Sequence, residues 1–178
     1  YFTEKVSYSP IKDYFQSRKR LWLKMLIPFL FGVAALVGAF VFDFGDENGI
    51  CTIFSEFINV QINIVAILIS FSVAIITILV SADNKNIEQL KNTPSSDCKQ
   101  INGKTLSLFQ VLLSNIAYNV IVEIIYLILL IVVVLIKALL PAVLFKYITA
   151  ACVFFIMHIL FVLLESVSQM YLTFWSKK

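Results

Sequence analysis

Four long apolar runs limit what this chain can become. Residues 25–42, 57–82, 106–136 and 147–175 together contain only two charged side chains, Glu123 and Glu165. Each run reaches or exceeds the roughly 17–25 residues that an α-helix needs to cross about 30 Å of hydrocarbon. Of 178 residues, 60% are hydrophobic and 14% charged, with a mean hydropathy of +0.92. Soluble domains run closer to about 45–50% apolar and about 25% charged. The expected fold class is therefore all-α: a polytopic membrane protein whose four spans form a transmembrane bundle. Between the spans remain a basic segment at 1–24, a short acidic loop and a polar loop at 83–105. None of these is long enough for an independently folded domain. The first run is long and starts some twenty residues in, so it reads as a retained helix within a transmembrane domain at 25–178 rather than as a signal peptide.

Orientation follows from lysine and arginine, which stay on the cytoplasmic side during insertion. The first 24 residues hold six bases against two acids, a net of +4. The loop after the first span has Asp43, Asp46, Glu47 and Glu56 and no base, whereas the loop at 83–105 has Lys85, Lys91, Lys99 and Lys104. Lys137 and Lys146 bracket an external turn around Pro141, and Lys177 and Lys178 close the chain. The expectation is an inner (plasma) membrane protein of bacteria with both termini in the cytoplasm. The acidic outer loop would attract cations to any conduction path opening there.

Known chemistries are missing. There is no phosphate-binding glycine loop, no G-x-S-x-G elbow and no H-E-x-x-H pair. Cys51, Cys98 and Cys152 stand singly and His158 is the one histidine, which argues against a zinc site or a disulfide framework. Neither a potassium-channel filter signature nor an arginine-repeat voltage sensor is present. Neither an enzyme nor a bound cofactor is expected.

Polar residues inside the spans are more informative. In the second span Asn59, Asn63, Ser70, Thr77 and Ser81 recur at spacings of four, seven, seven and four, with Ala66 and Ala74 between them. At about 100° per residue they share one narrow face. Lipid is the wrong environment for that stripe, and two readings stand: hydrogen-bonded contact between helices, or the wall of a water-filled path in an oligomer. The third span aligns Ser107, Gln110, Ser114 and Tyr118 on one face and Asn115, Asn119 and Tyr126 beside it. Glu123 lies at membrane depth, where an ionisable residue marks an ion path, a gate or a buried pair. In a hairpin His158 comes to similar depth, either as a structural partner that fixes register or as a protonation-sensitive group. His158, Glu165 and Gln169 share a face of the fourth span. In the first span Ala34/Gly38 and Ala35/Ala39 form small-xxx-small pairs suited to close helix approach, and Pro28 sits near the expected start.

Ahead of the first span, Arg18, Lys19, Arg20 and Lys24 stand beside Tyr14 and Trp22. That combination suits an interfacial flank on anionic lipid or a polyanion such as single-stranded DNA.

With its basic aromatic N-terminal segment, acidic outer loop, Asn59-to-Ser81 stripe and short soluble parts, the chain resembles the small four-pass membrane effectors of bacterial antiphage systems. The membrane component of the Hailong system is the foremost candidate and that of the Kiwa system the second. Resemblance to the Hailong effector implies a tetrameric ion channel held inactive by DNA oligomers and released during infection. Resemblance to the Kiwa component implies an oligomeric membrane sensor coupled to a cytoplasmic DNA-binding protein. The expected function is a homo-oligomeric channel or membrane-permeabilising effector gated from the cytoplasm. The alternatives are a non-conducting sensor or scaffold for a cytoplasmic regulatory protein, and a proton-coupled small-solute transporter using Glu123 and His158. The expected partners are the lipid bilayer, further copies of the chain, and a cytoplasmic regulatory protein or oligonucleotide.

Overall fold

A computed structural model describes residues 11, 14–15, 21–42, 47–81, 85–95 and 106–175. The elements are α1 (Leu21–Val41), α2 (Glu47–Ser81), α3 (Lys85–Asn92), α4 (Leu108–Ile136), a 3-10 turn (Lys137–Leu139) and α5 (Ala142–Trp175). Helices α1, α2, α4 and α5 are each long and apolar enough to cross a membrane. Within their most apolar windows only 11% to 39% of residues are buried. A soluble bundle of this length would hide far more of its leucine and isoleucine, so lipid is the solvent these faces fit.

Three of the four long helices start earlier than the apolar runs, and α4 starts two residues later. The polar stretch Glu47–Glu56 is already helical, so α2 begins ten residues before the expected 57, and the acidic loop shrinks accordingly. Helix α5 opens directly after Pro141, whose fixed φ and missing N–H suit a helix start. Because α1 opens at Leu21, Pro28 lies well inside the helix rather than in its first turn. It removes one donor to the Lys24 carbonyl, a loss transmembrane helices tolerate.

The chain divides into two compact units, and the boundary cuts α2, α4 and α5. One unit comprises Trp22–Ser70 and Val122–Phe161. Its core is Phe54, Ile58, Val65, Tyr126, Leu130, Phe145, Cys152, Ile156 and Ile159. Phe54 and Phe145 stack with ring centroids 4.4 Å apart, fastening the start of α2 to the start of α5. The α1 helix buries only Pro28 and Gly32. A Cβ on Gly32 would stand 3.1 Å from Phe154 Cβ and 3.3 Å from the Ala150 carbonyl oxygen, so this glycine is where α1 meets α5. The small-residue pairs are not that contact: Ala34 is exposed, and Ala35, Gly38 and Ala39 line an apolar groove of about 300 Å³ with Ile53, Phe57 and Lys146.

The other unit comprises Tyr1–Leu21, Phe71–Ile121 and Val162–Lys178. Within the expected polar loop, α3 is a short amphipathic helix whose Ile87 packs with Leu79, Leu112 and Ile116. Lys91 places its ammonium 5.4 Å from the Phe109 ring centroid. Pro94 and Ser107 form an isolated antiparallel bridge, with Ser95 N–H donating to the Leu106 carbonyl and Leu108 N–H to that of Thr93, each at 2.9 Å. Ser107 and Gln110 then cap α4 reciprocally: the Ser107 N–H donates to Gln110 Oε1 at 3.0 Å, and the Gln110 N–H to Ser107 Oγ at 3.3 Å. That is a capping box, which satisfies two otherwise orphaned groups at a helix start.

The exposed polar face of α2 and the buried polar groups

On α2 the buried residues are Phe54, Ile58, Gln61, Val65, Ser72 and Leu79. At about 100° per residue they occupy one arc, and the stripe Asn59, Asn63, Ser70, Thr77 and Ser81 lies on the nearly opposite side. Every member of that stripe is exposed, as are Ala66 and Ala74. Among the described residues no neighbouring helix buries any member of the stripe. Ser70 and Thr77 donate their hydroxyls back to the Ala66 and Val73 carbonyls, at 3.0 and 2.9 Å. Their oxygens are left with outward lone pairs. Thr52 and Glu56 fall on the same face and are exposed too, so the stripe starts earlier than the sequence suggested.

Glu56 is thus a helical residue, not a loop residue. Glu47 opens the same helix. Asp43 and Asp46 lie outside the described residues, as do Arg18, Lys19 and Arg20. Lys24 sits half-buried in α1.

Other α2 residues bind the subunit together. In the unit containing Glu123 and His158, the Tyr126 hydroxyl lies 3.2 Å from the Cys152 carbonyl oxygen and 3.3 Å from Gln61 Oε1. Its single proton is shared between these acceptors, joining α4 to both α2 and α5. The Lys137 amine donates to the Ser55 hydroxyl. Lys146 sits over the Phe40 ring, 4.9 Å from its centroid. Both lysines at the α4–α5 turn are therefore held by neighbouring helices. Glu123 is fully buried and His158 nearly so.

In the other unit Asn115, Asn119, Ser72 and Ser166 are buried. Glu165 is half-buried and accepts a hydrogen bond from Gln169 Nε2 at 3.1 Å. Gln110, which shares a face with Ser107, Ser114 and Tyr118 by spacing, is exposed and holds the cap through its side chain. Tyr14 is buried, stacked on Tyr118 with centroids 4.0 Å apart and planes within 2°. Its ring is occupied, so it offers no platform for a base. Trp22 remains highly exposed.

Among the described residues no group of three or more His, Cys, Asp or Glu is placed to hold a metal. No family model matches the chain, and no curated protein or solved structure matches it either. The functional reading consequently rests on the geometry of α2.

Proposed function

We propose that this chain is the subunit of a homo-oligomeric membrane channel or membrane-permeabilising effector in which α2 faces the shared axis. The observation that carries the reading is the exposure of a continuous small and polar face on a transmembrane helix, opposite the arc that packs into its own subunit. Asparagine carboxamides facing lipid forgo hydrogen bonds and are disfavoured at membrane depth, whereas the Ser70 and Thr77 hydroxyls are already satisfied within the helix. A face of this kind is covered either by protein or by water. Closed rotational symmetry provides both, because repetition of one stripe around an axis yields a polar lumen. Four copies, gating by a cytoplasmic ligand or partner, and a role in antiphage defence extend the proposal along the resemblance to the Hailong effector. An inner-membrane setting with both termini cytoplasmic extends it along the distribution of lysine and arginine.

A sensor or scaffold is the second reading. It draws support from the α3 helix, which packs by Ile87 and leaves Lys85, Glu88 and Lys91 exposed as a charged surface for a partner. Purified protein in planar bilayers separates the two. Discrete conductance steps support the channel, and intact oligomers that pass no current under any ligand support the scaffold. Saturable, proton-dependent solute uptake that fails in Glu123→Gln would instead support a transporter.

A further inference from the structure

The stripe on α2 is not uniform: at one end it carries a charge. Glu56 is exposed and stands three residues before Asn59 and seven before Asn63, so all three share a face, and all three belong to the same unit. Apart from Glu47 at its first residue, α2 has no other ionisable carboxylate and no base. The depth of Glu56 is fixed by its neighbour. Ser55 accepts from Lys137, the residue that follows the uninterrupted apolar run of α4. Glu56 therefore lies level with the end of α4, where its apolar run stops. Asn59 and Asn63 follow about one and two turns further along the helix.

We propose that Glu56, Asn59 and Asn63 form the cation-selecting mouth of the axis, a ring of carboxylates followed by two rings of carboxamide oxygens that takes small hard cations such as K⁺ or Na⁺. This rests on the reading of α2 as axis-lining. The chemistry suits the ligand: hard cations prefer carboxylate and carbonyl oxygen, and carboxylate rings are a general solution to cation selectivity. Just inward, Ser70 presents an oxygen whose proton is already given to Ala66, so it too meets a cation with lone pairs. The opposing charge is Lys137, half-buried and held by Ser55, about 100° around α2 from Glu56. It sits behind the face rather than on it. Removing the carboxylate therefore weakens the negative field at the mouth while Lys137 and the acids Asp43, Asp46 and Glu47 remain, so cation preference should fall.

The test is the reversal potential of the reconstituted full chain across a KCl gradient. One unit charge passing within about 4 Å in water biases occupancy about fivefold, and a ring of such charges biases it further. The wild type should prefer K⁺ over Cl⁻ by at least about fivefold. Glu56→Gln should lower the ratio toward unity, and Glu56→Asp should keep cation preference. Glu88→Gln, an exposed carboxylate on α3, should leave it unchanged. Conductance that persists with the same reversal potential in Glu56→Gln overturns this site alone. A wild type that never conducts overturns the channel reading, and this site with it.

Discussion

Gln61 and Asn63 are two residues apart on α2 and face opposite ways, which makes them a matched pair for testing what each face does. Gln61 is buried, with Oε1 3.3 Å from the Tyr126 hydroxyl, whereas Asn63 is exposed. Each is replaced by leucine. In Gln61→Leu the Tyr126 proton still reaches the Cys152 carbonyl at 3.2 Å, so the loss is one interhelical hydrogen bond. Measured in membranes, such bonds average about 0.6 kcal/mol and reach about 1.7. Subunit stability should fall by that amount and assembly should be little affected. Asn63→Leu should leave subunit stability nearly unchanged, because its side chain is exposed on the subunit. On the axis it replaces a water-facing carboxamide with a hydrophobic ring, so the assembly should persist while the current falls, as apolar constrictions close pores by dewetting. Thermal melting by circular dichroism in dilute detergent reads stability, and single-channel recording in planar bilayers reads the current. The reasoning is refuted if Asn63→Leu destabilises the subunit as much as Gln61→Leu, or if it leaves the current untouched.

Two further substitutions probe other contacts. Gly32→Val should cost about 1–3 kcal/mol by overpacking and loosen α1, because its Cβ would meet Phe154 Cβ at 3.1 Å and the Ala150 carbonyl at 3.3 Å; Gly38→Ala should be neutral in the same melting assay, its nearest neighbour being Phe42 at 4.0 Å. Tyr14→Ala should forfeit the stack on Tyr118, worth about 0.5–1.5 kcal/mol beyond buried area, while Tyr14→Phe should keep it in the same melting assay.

The spans were legible because membrane-crossing helices announce themselves by apolar length, and α1, α2, α4 and α5 all lie where the runs predicted. Their starts were not. Glu47–Glu56 mixes charge, glycine and aromatic residues, and hydropathy alone reads such a segment as loop although α2 already includes it. The α3 helix was missed for a related reason: it has eight residues and only a narrow apolar edge, including Ile87 and Leu90, which pays off once α2 and α4 are there to receive it. Periodicity found the α2 stripe, but period alone does not say which side of a helix packs. Gln61, off the stripe and embedded among isoleucine and valine, passed without notice although it supplies a bond to α4. For Ser107 and Gln110 the signal was present: serine followed three residues later by glutamine at the head of an apolar run is a capping signature. It was read as a helix face instead. Gly32 was overshadowed by the alanine and glycine pairs beside it, and only the partner helix distinguishes among small residues that all permit close approach.

The central claim is that the exposed face of α2 meets water along a shared axis. Single cysteines at Asn63, Ser70 and Thr77, introduced into a Cys51→Ser, Cys98→Ser background with Cys152 left buried, test it through their reaction with a membrane-impermeant, water-soluble thiol reagent in vesicles under conditions where current flows. Controls are cysteines at Ile64, Phe71 and Ile78, which are also exposed on the subunit but lie off the stripe. The account predicts fast modification and altered current at the three stripe positions and slow or no modification at the three controls. Equal protection of both sets while current flows would mean that the stripe is a dry contact, and the claim that α2 lines the path would be contradicted.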